Sequence, residues 1–78
     1  MKTMTCKELG GACDQTFTAE TFEEMAALSR KHGMEMFQQG DRAHLEAMEK
    51  MKALMESPGA MQEYMAQKKA AFDALPED

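Results

Sequence analysis

Four side chains in the first 36 residues have the chemistry of soft or borderline metal ligands. Cys6 and Cys13 are separated by six residues, and His32 and Met36 follow one helical turn apart on a predicted helix. Thiolates and imidazoles are the usual ligands of structural zinc, which binds four of them in a tetrahedron. The cysteine spacing is wider than in ordinary zinc fingers, but Gly10-Gly11 predicts a turn that brings the two sulfurs together.

The sequence leaves the fourth ligand open. Met36 should face the same way as His32, but its thioether suits Cu(I) better than zinc. If the helices on either side of Gly40 form an antiparallel pair, Met36 faces His44, whose imidazole could take its place. Asp14 or a water molecule are further options. The predicted ligands of a mainly structural zinc site, with Cu(I) as the alternative metal, are Cys6, Cys13, His32 and His44.

Two short strands should position the cysteines. Residues 2–7 and 13–18 favour extended structure and would pair as a hairpin across residues 8–12. Met4 and Cys6 then lie on one face, because side chains alternate along a strand. A lone hairpin is barely stable in water, so this one must pack on a helix or be clamped by a metal.

The first helix should position the histidine. Thr21 and Glu24 form a capping box at its start, and Gly40 ends it as a C-terminal cap. Phe22, Met25, Met36 and Phe37 belong to its apolar face, with His32 beside them. Gly33 costs roughly 1 kcal/mol against alanine inside a helix, and close approach of another backbone, such as the hairpin, would be one reason to keep a glycine there.

Two further helices complete the predicted chain. Asp41 caps the second, whose apolar stripe comprises Leu45, Met48, Met51, Leu54 and Met55. Ser57 is expected to cap the third, with Pro58 in its first turn. The third helix presents Met61, Tyr64, Met65, Lys68, Phe72 and Leu75, and residues 76–78 form a frayed tail. We therefore predict a mainly α protein with a small N-terminal β-hairpin packed on a three-helix antiparallel arrangement.

Length and composition predict a single domain that needs additional stabilisation from a metal, disulfides or a partner subunit. A chain of 78 residues buries a marginal core, and ten methionines with no tryptophan specify that core poorly. Within the domain, residues 1–40 carry the hairpin, the first helix and the metal site, and residues 41–78 form a two-helix extension.

Charge and hydropathy exclude several function classes. The net charge is -5 and no basic stripe is present, which argues against nucleic acid or an anionic membrane as partner. No apolar run reaches signal-peptide or membrane-span length, so a cytoplasmic location is expected. In the cytoplasm two cysteines are more often thiols or metal ligands than a disulfide.

The segment CKELGGACDQTF, followed by AETFEEM and KHGMEM, resembles the DUF1059 family of predicted small metal-binding proteins. The family pattern is Cys-(x)-Asp-x-Gly-x-x-Cys-Asp-Phe, then Glu-Thr-x-Glu-Glu, then His-x-x-x-His. The chain departs from it at the last histidine, which is Met36 here, and at Glu8-Leu9, near the family's acidic position. The resemblance covers about residues 1–37 and implies a metal site without any activity. Matching positions are Cys6, Cys13, Asp14, Glu20, Thr21, Glu23, Glu24 and His32.

Two other functions compete with a zinc protein. A metal-free helical module could bury its methionine-rich faces against a partner protein or a second copy. Cys6, Cys13 and Met36 could instead handle Cu(I) or thiol redox chemistry. An enzyme is not expected, because no nucleophile-base pair, phosphate loop or His-Glu metal motif is present.

Overall fold

The computed structural model describes residues 1–77, in which a short hairpin precedes three helices. The strands are β1 (Lys2–Thr5) and β2 (Thr16–Ala19), and the helices are α1 (Phe22–Gln39), α2 (Arg42–Glu56) and α3 (Ala60–Ala74). The predicted mainly α fold with an N-terminal hairpin is confirmed. Asp78, the end of the predicted tail, lies outside the described residues.

Compared with the predicted strands, β1 ends two residues earlier, and β2 begins three residues later and ends one residue later. β1 and β2 are antiparallel, with Met4 opposite Phe17 and Lys2 opposite Ala19. Both cysteines therefore lie in the connecting segment, beyond the regular ladder. The segment remains ordered because the Cys6 amide donates to the Gln15 carbonyl at 2.7 Å, and the strand pairing is in effect continued by one step.

The predicted caps place the ends of α1 and the start of α2. Thr21 accepts a hydrogen bond from the Glu24 amide at 3.2 Å, and its hydroxyl donates to the Glu24 carboxylate, which was expected to reach the Thr21 amide instead. Gly40 ends α1 with φ +71°, a left-handed conformation that favours glycine. Asp41 then caps α2 by accepting from the His44 amide.

The start of α3 differs from the prediction. Gly59, with φ +81°, is its N-terminal cap, and no side chain caps the helix. Ser57 instead ends α2, because its amide donates to the Leu54 carbonyl at 3.2 Å and its own carbonyl accepts from Ala60. Gly59, in a left-handed conformation, reverses the chain beyond these backbone bonds, so the helix begins later than Ser57-Pro58 suggested.

The apolar core lies between the hairpin, α1 and α3. Its buried members are Met4, Cys6, Phe17, Ala19, Met25 and Phe72. The predicted shared face of Met4 and Cys6 is thus confirmed, since both are almost fully buried. α2 contributes one buried residue, and that residue is the histidine His44.

Three residues of the predicted apolar helix faces are exposed to solvent. Phe37 is 61% exposed, Met55 is 69% exposed and Met65 is 38% exposed. A periodic pattern identifies an apolar face but not whether another element covers its whole length. At Gly33 no neighbouring backbone approaches; a Cβ atom at this position would lie 3.6 Å from the Met48 methyl, an ordinary contact distance.

Among residues 1–77, no helix combines the length and the apolar character that crossing a bilayer requires.

Candidate metal centre

The four residues predicted as ligands converge in space. One potential donor atom from each of Cys6, Cys13, His32 and His44 lies within 4.8 Å of all the others. The hairpin turn supplies both sulfurs, α1 supplies His32 and α2 supplies His44. Residues that are as many as 38 positions apart in the chain therefore meet at one point.

The distances fit a tetrahedral ion. Zinc bonds of about 2.3 Å to sulfur and 2.0–2.1 Å to nitrogen imply ligand-ligand separations of roughly 3.3–3.8 Å in a tetrahedron. The Cys13 Sγ to His32 Nε2 distance is 3.2 Å, and the Cys6 Sγ to His44 Nε2 distance is 3.5 Å. Side-chain movements of about an ångström would close the widest pairs.

A tight turn wraps the Cys6 sulfur. The Cys6 carbonyl accepts hydrogen bonds from the amides of Leu9, at 3.1 Å, and Gly11, at 2.8 Å. A Cβ atom on Gly11 would lie 2.1 Å from Cys6 Sγ and 3.0 Å from the Cys6 carbonyl oxygen. The turn can close over this sulfur only because position 11 has no side chain.

The two thiols have opposite pKa shifts. Burial acts to raise the pKa of Cys6, but hydrogen bonds from the Cys13 amide, His44 and the Ala12 amide outweigh it and lower that pKa. Burial raises the pKa of Cys13, and the neighbouring Cys6 and the charge of Asp14 raise it further. A hydrogen bond from the Gln15 amide lowers this pKa but does not outweigh them. Of the two thiols, Cys6 is therefore the one that loses its proton more readily.

His44 is oriented by a carboxylate. Its Nδ1 lies 2.6 Å from Asp41 Oδ2, and this hydrogen bond is the main reason that its pKa is raised, against the opposing effect of burial. The bond to His44 likewise lowers the pKa of Asp41. A proton on Nδ1 leaves the Nε2 lone pair facing Cys6 and the cluster. A carboxylate that holds a histidine in this way is a common outer partner of metal-bound imidazoles.

Aromatic contacts hold the second imidazole. The His32 ring meets Phe17 edge-on, with centroids 5.5 Å apart, and it meets the His44 ring in the same manner at 5.2 Å. Phe17 is buried in β2, so the hairpin core fixes the position of His32 as well as those of the cysteines.

The structure separates two of the candidates for the fourth position, His44 and Asp14. His44 joins the cluster, whereas Asp14 is exposed and does not belong to it. Met36 is partly buried on α1, and four donors converge without it. The sequence reasoning treated Asp41 only as a helix cap and missed its bond to the His44 ring. Its position three residues before a histidine, at a helix start, was the available signal.

An open cavity of about 580 Å³ lies against one side of the cluster. Cys6 and His44 form part of its wall. Met34 and Phe37, which also line it, are 65% and 61% exposed. Small molecules can therefore approach the cluster from this side, although Cys6 itself is 3% exposed.

Cys6, His44 and Asp41 also form a chain of thiol, imidazole and carboxylate, as in a cysteine nucleophile with its base. The sequence alone predicted no nucleophile-base pair, because these residues are far apart in the chain. Cys13 and His32 meet in the same way at 3.2 Å, so two thiol-imidazole pairs lie together in the cluster.

Comparisons with protein-family models, curated proteins and solved structures gave no significant match to this chain. The resemblance to the DUF1059 family therefore stays a prediction.

Proposed function

We propose that this chain is a small metal-binding protein whose centre is formed by Cys6, Cys13, His32 and His44. The observation that carries the proposal is the convergence of all four donor atoms within 4.8 Å. Each of the three elements that surround the centre contributes at least one of them.

The proposed role of the metal is structural. α2 has no buried apolar residue, and its one buried side chain is His44. A metal bound to His44 would link α2 to the hairpin and to α1. The apolar core contributes little to this packing, because none of its residues belongs to α2. Because the ligands converge only in the folded chain, the free energy of metal binding adds to that of folding.

Zinc is the metal that the donor set favours. Two thiolates and two imidazoles are a common structural zinc set, and His44 has the carboxylate partner that such imidazoles usually have. Four protein donors leave no coordination position for a substrate, which supports a non-catalytic protein. We place it in the cytoplasm, where thiols remain reduced.

Metal content tests the proposal. Protein purified without an affinity tag or chelator is analysed by elemental mass spectrometry against protein concentration. We expect near one zinc per chain, and near none in Cys6→Ser or His44→Gln. Met36→Leu is the control, because the four donors converge without this thioether, and we expect this variant to retain its zinc. Copper in place of zinc, lost in Met36→Leu, would support Cu(I) handling instead.

A second candidate is a metal-free helical interaction module. The exposed Met34, Phe37 and Met55 favour it, because each leaves a large apolar side chain in water. Size measurement at low micromolar concentration distinguishes the two functions. A dimer that contains no metal and is unchanged by a chelator would favour the module, and a monomer that loses its fold with a chelator would favour the metal protein.

A further inference from the structure

We propose that the metal centre is also a redox switch: a peroxide converts Cys6 and Cys13 into a disulfide, and the metal is released. This inference rests on the proposed metal-binding function and adds to it a signal that empties the site. The observation that supports this proposal is that both thiols belong to one cluster and lie within 4.8 Å of each other.

The hairpin keeps the two cysteines in position to react. The backbone on either side of them is tied together by hydrogen bonds from Cys6 to Gln15, at 2.7 Å, and from Lys7 to Cys13, at 3.0 Å. A disulfide needs the sulfurs about 2.0 Å apart, so they must approach by less than about 3 Å. The loop between them contains Gly10 and Gly11, which can take up the backbone change.

The two sulfurs differ in access, and this sets the order of the steps. Cys13 is partly exposed, whereas Cys6 is buried. A bound metal would hold both cysteines as thiolates, so access decides which one reacts. Hydrogen peroxide reacts first at the Cys13 thiolate, which forms an S–O bond, breaks the O–O bond and releases hydroxide. The Cys6 thiolate then attacks the Cys13 sulfur, forms the S–S bond and expels a second hydroxide.

The metal leaves because its charge is no longer balanced. The two sulfurs give two electrons to the peroxide, and both thiolates become neutral disulfide sulfurs. Only the imidazoles of His32 and His44 remain as donors, and two imidazoles hold zinc far more weakly than the full set. Zinc is released as the hydrated divalent ion, and a dithiol reductant restores the thiolates and the site.

The test compares the wild-type protein with a variant that keeps four donors but has one thiol. Cys13→His replaces a thiolate by an imidazole, which zinc also accepts, and leaves no partner for a disulfide. Cys6→His is the second such variant if the first does not load zinc. Each zinc-loaded protein is treated with hydrogen peroxide while a chromophoric chelator reports free zinc, and intact mass is recorded.

We expect the wild-type protein to release its zinc and to lose the mass of two hydrogen atoms relative to the reduced chain. A dithiol with added zinc should reverse both changes, and the one-thiol variant should keep its zinc under the same treatment. Wild-type protein that keeps its zinc, or that gains oxygen atoms without a disulfide, would overturn the switch while the metal site stands. Protein that never binds zinc would overturn the proposed function itself.

Discussion

Replacement of Asp41 by asparagine separates the two roles of this residue. Asparagine caps helices about as well as aspartate, so the bond to the His44 amide should persist and α2 should begin at the same residue. The charge on the partner of the His44 ring is lost, and the 2.6 Å contact between Nδ1 and Oδ2 becomes a weaker bond between neutral groups. The zinc affinity then reports the contribution of the carboxylate to the metal site.

The structure sets the size of the effect. Loss of an outer partner of a metal-bound histidine usually lowers metal affinity 10- to 100-fold. His44 is almost fully buried, but the Asp41 side chain is 44% exposed and its charge is partly screened by water. We therefore expect the dissociation constant of zinc to rise about tenfold, near the lower end of this range.

The assay is competition for zinc against a chromophoric chelator at neutral pH, with circular dichroism to confirm that the helices are unchanged. Glu49→Gln is the matched control, because it removes the same charge from an exposed residue of α2. If Asp41→Asn and Glu49→Gln bind zinc equally well, the Asp41 carboxylate does not orient His44 for a metal.

Three further predictions test other parts of the structure. In metal-free protein the bond to Asp41 raises the pKa of His44, so protonated His44 stabilises the fold at low pH and this contribution is lost as pH rises through the folded-state pKa. The melting-temperature difference between wild type and His44→Gln in a chelator should therefore shrink as the pH rises above about 6.5, the ordinary pKa of histidine, and an increase would contradict it. Gly11→Ala should destabilise the protein by about 1–3 kcal/mol in chemical denaturation, because its Cβ would overlap Cys6 Sγ; a fully stable variant would show that the turn is looser than described. Gly33→Ala should stabilise α1 by roughly 1 kcal/mol, because its Cβ has room, and a lower melting temperature would count against the described helix packing.

Local sequence patterns predicted the elements and many of their ends. The cap at Thr21, the glycine at Gly40 and the cap at Asp41 act through backbone bonds to residues within four positions, so they can be recognised without a tertiary structure. The predicted cap at Ser57 was wrong. Ser57 and Gly59 both lie at possible helix starts, and α3 begins after the left-handed Gly59. Reasoning from local patterns also failed at Phe37 and Met55, whose exposure depends on what packs against them.

The cysteines show where the local pattern stops. Their spacing and the paired glycines predicted that the sulfurs would meet, and they lie in one cluster. The predicted strands nevertheless extend further towards the turn than β1 and β2 do. Backbone bonds from Leu9 and Gly11 to the Cys6 carbonyl form a tight turn instead of a longer ladder, and no alternation of residue types indicates such a turn.

By itself, the sequence determined the donor types, the pairing of two thiols in a hairpin turn and a histidine on the helix that follows. It named His44 as one of several options for the fourth position. Only the tertiary structure brought His44, and not Asp14, into the cluster. The physical reason is that this convergence depends on how α2 folds back over α1 and the hairpin, and short-range patterns do not specify that geometry.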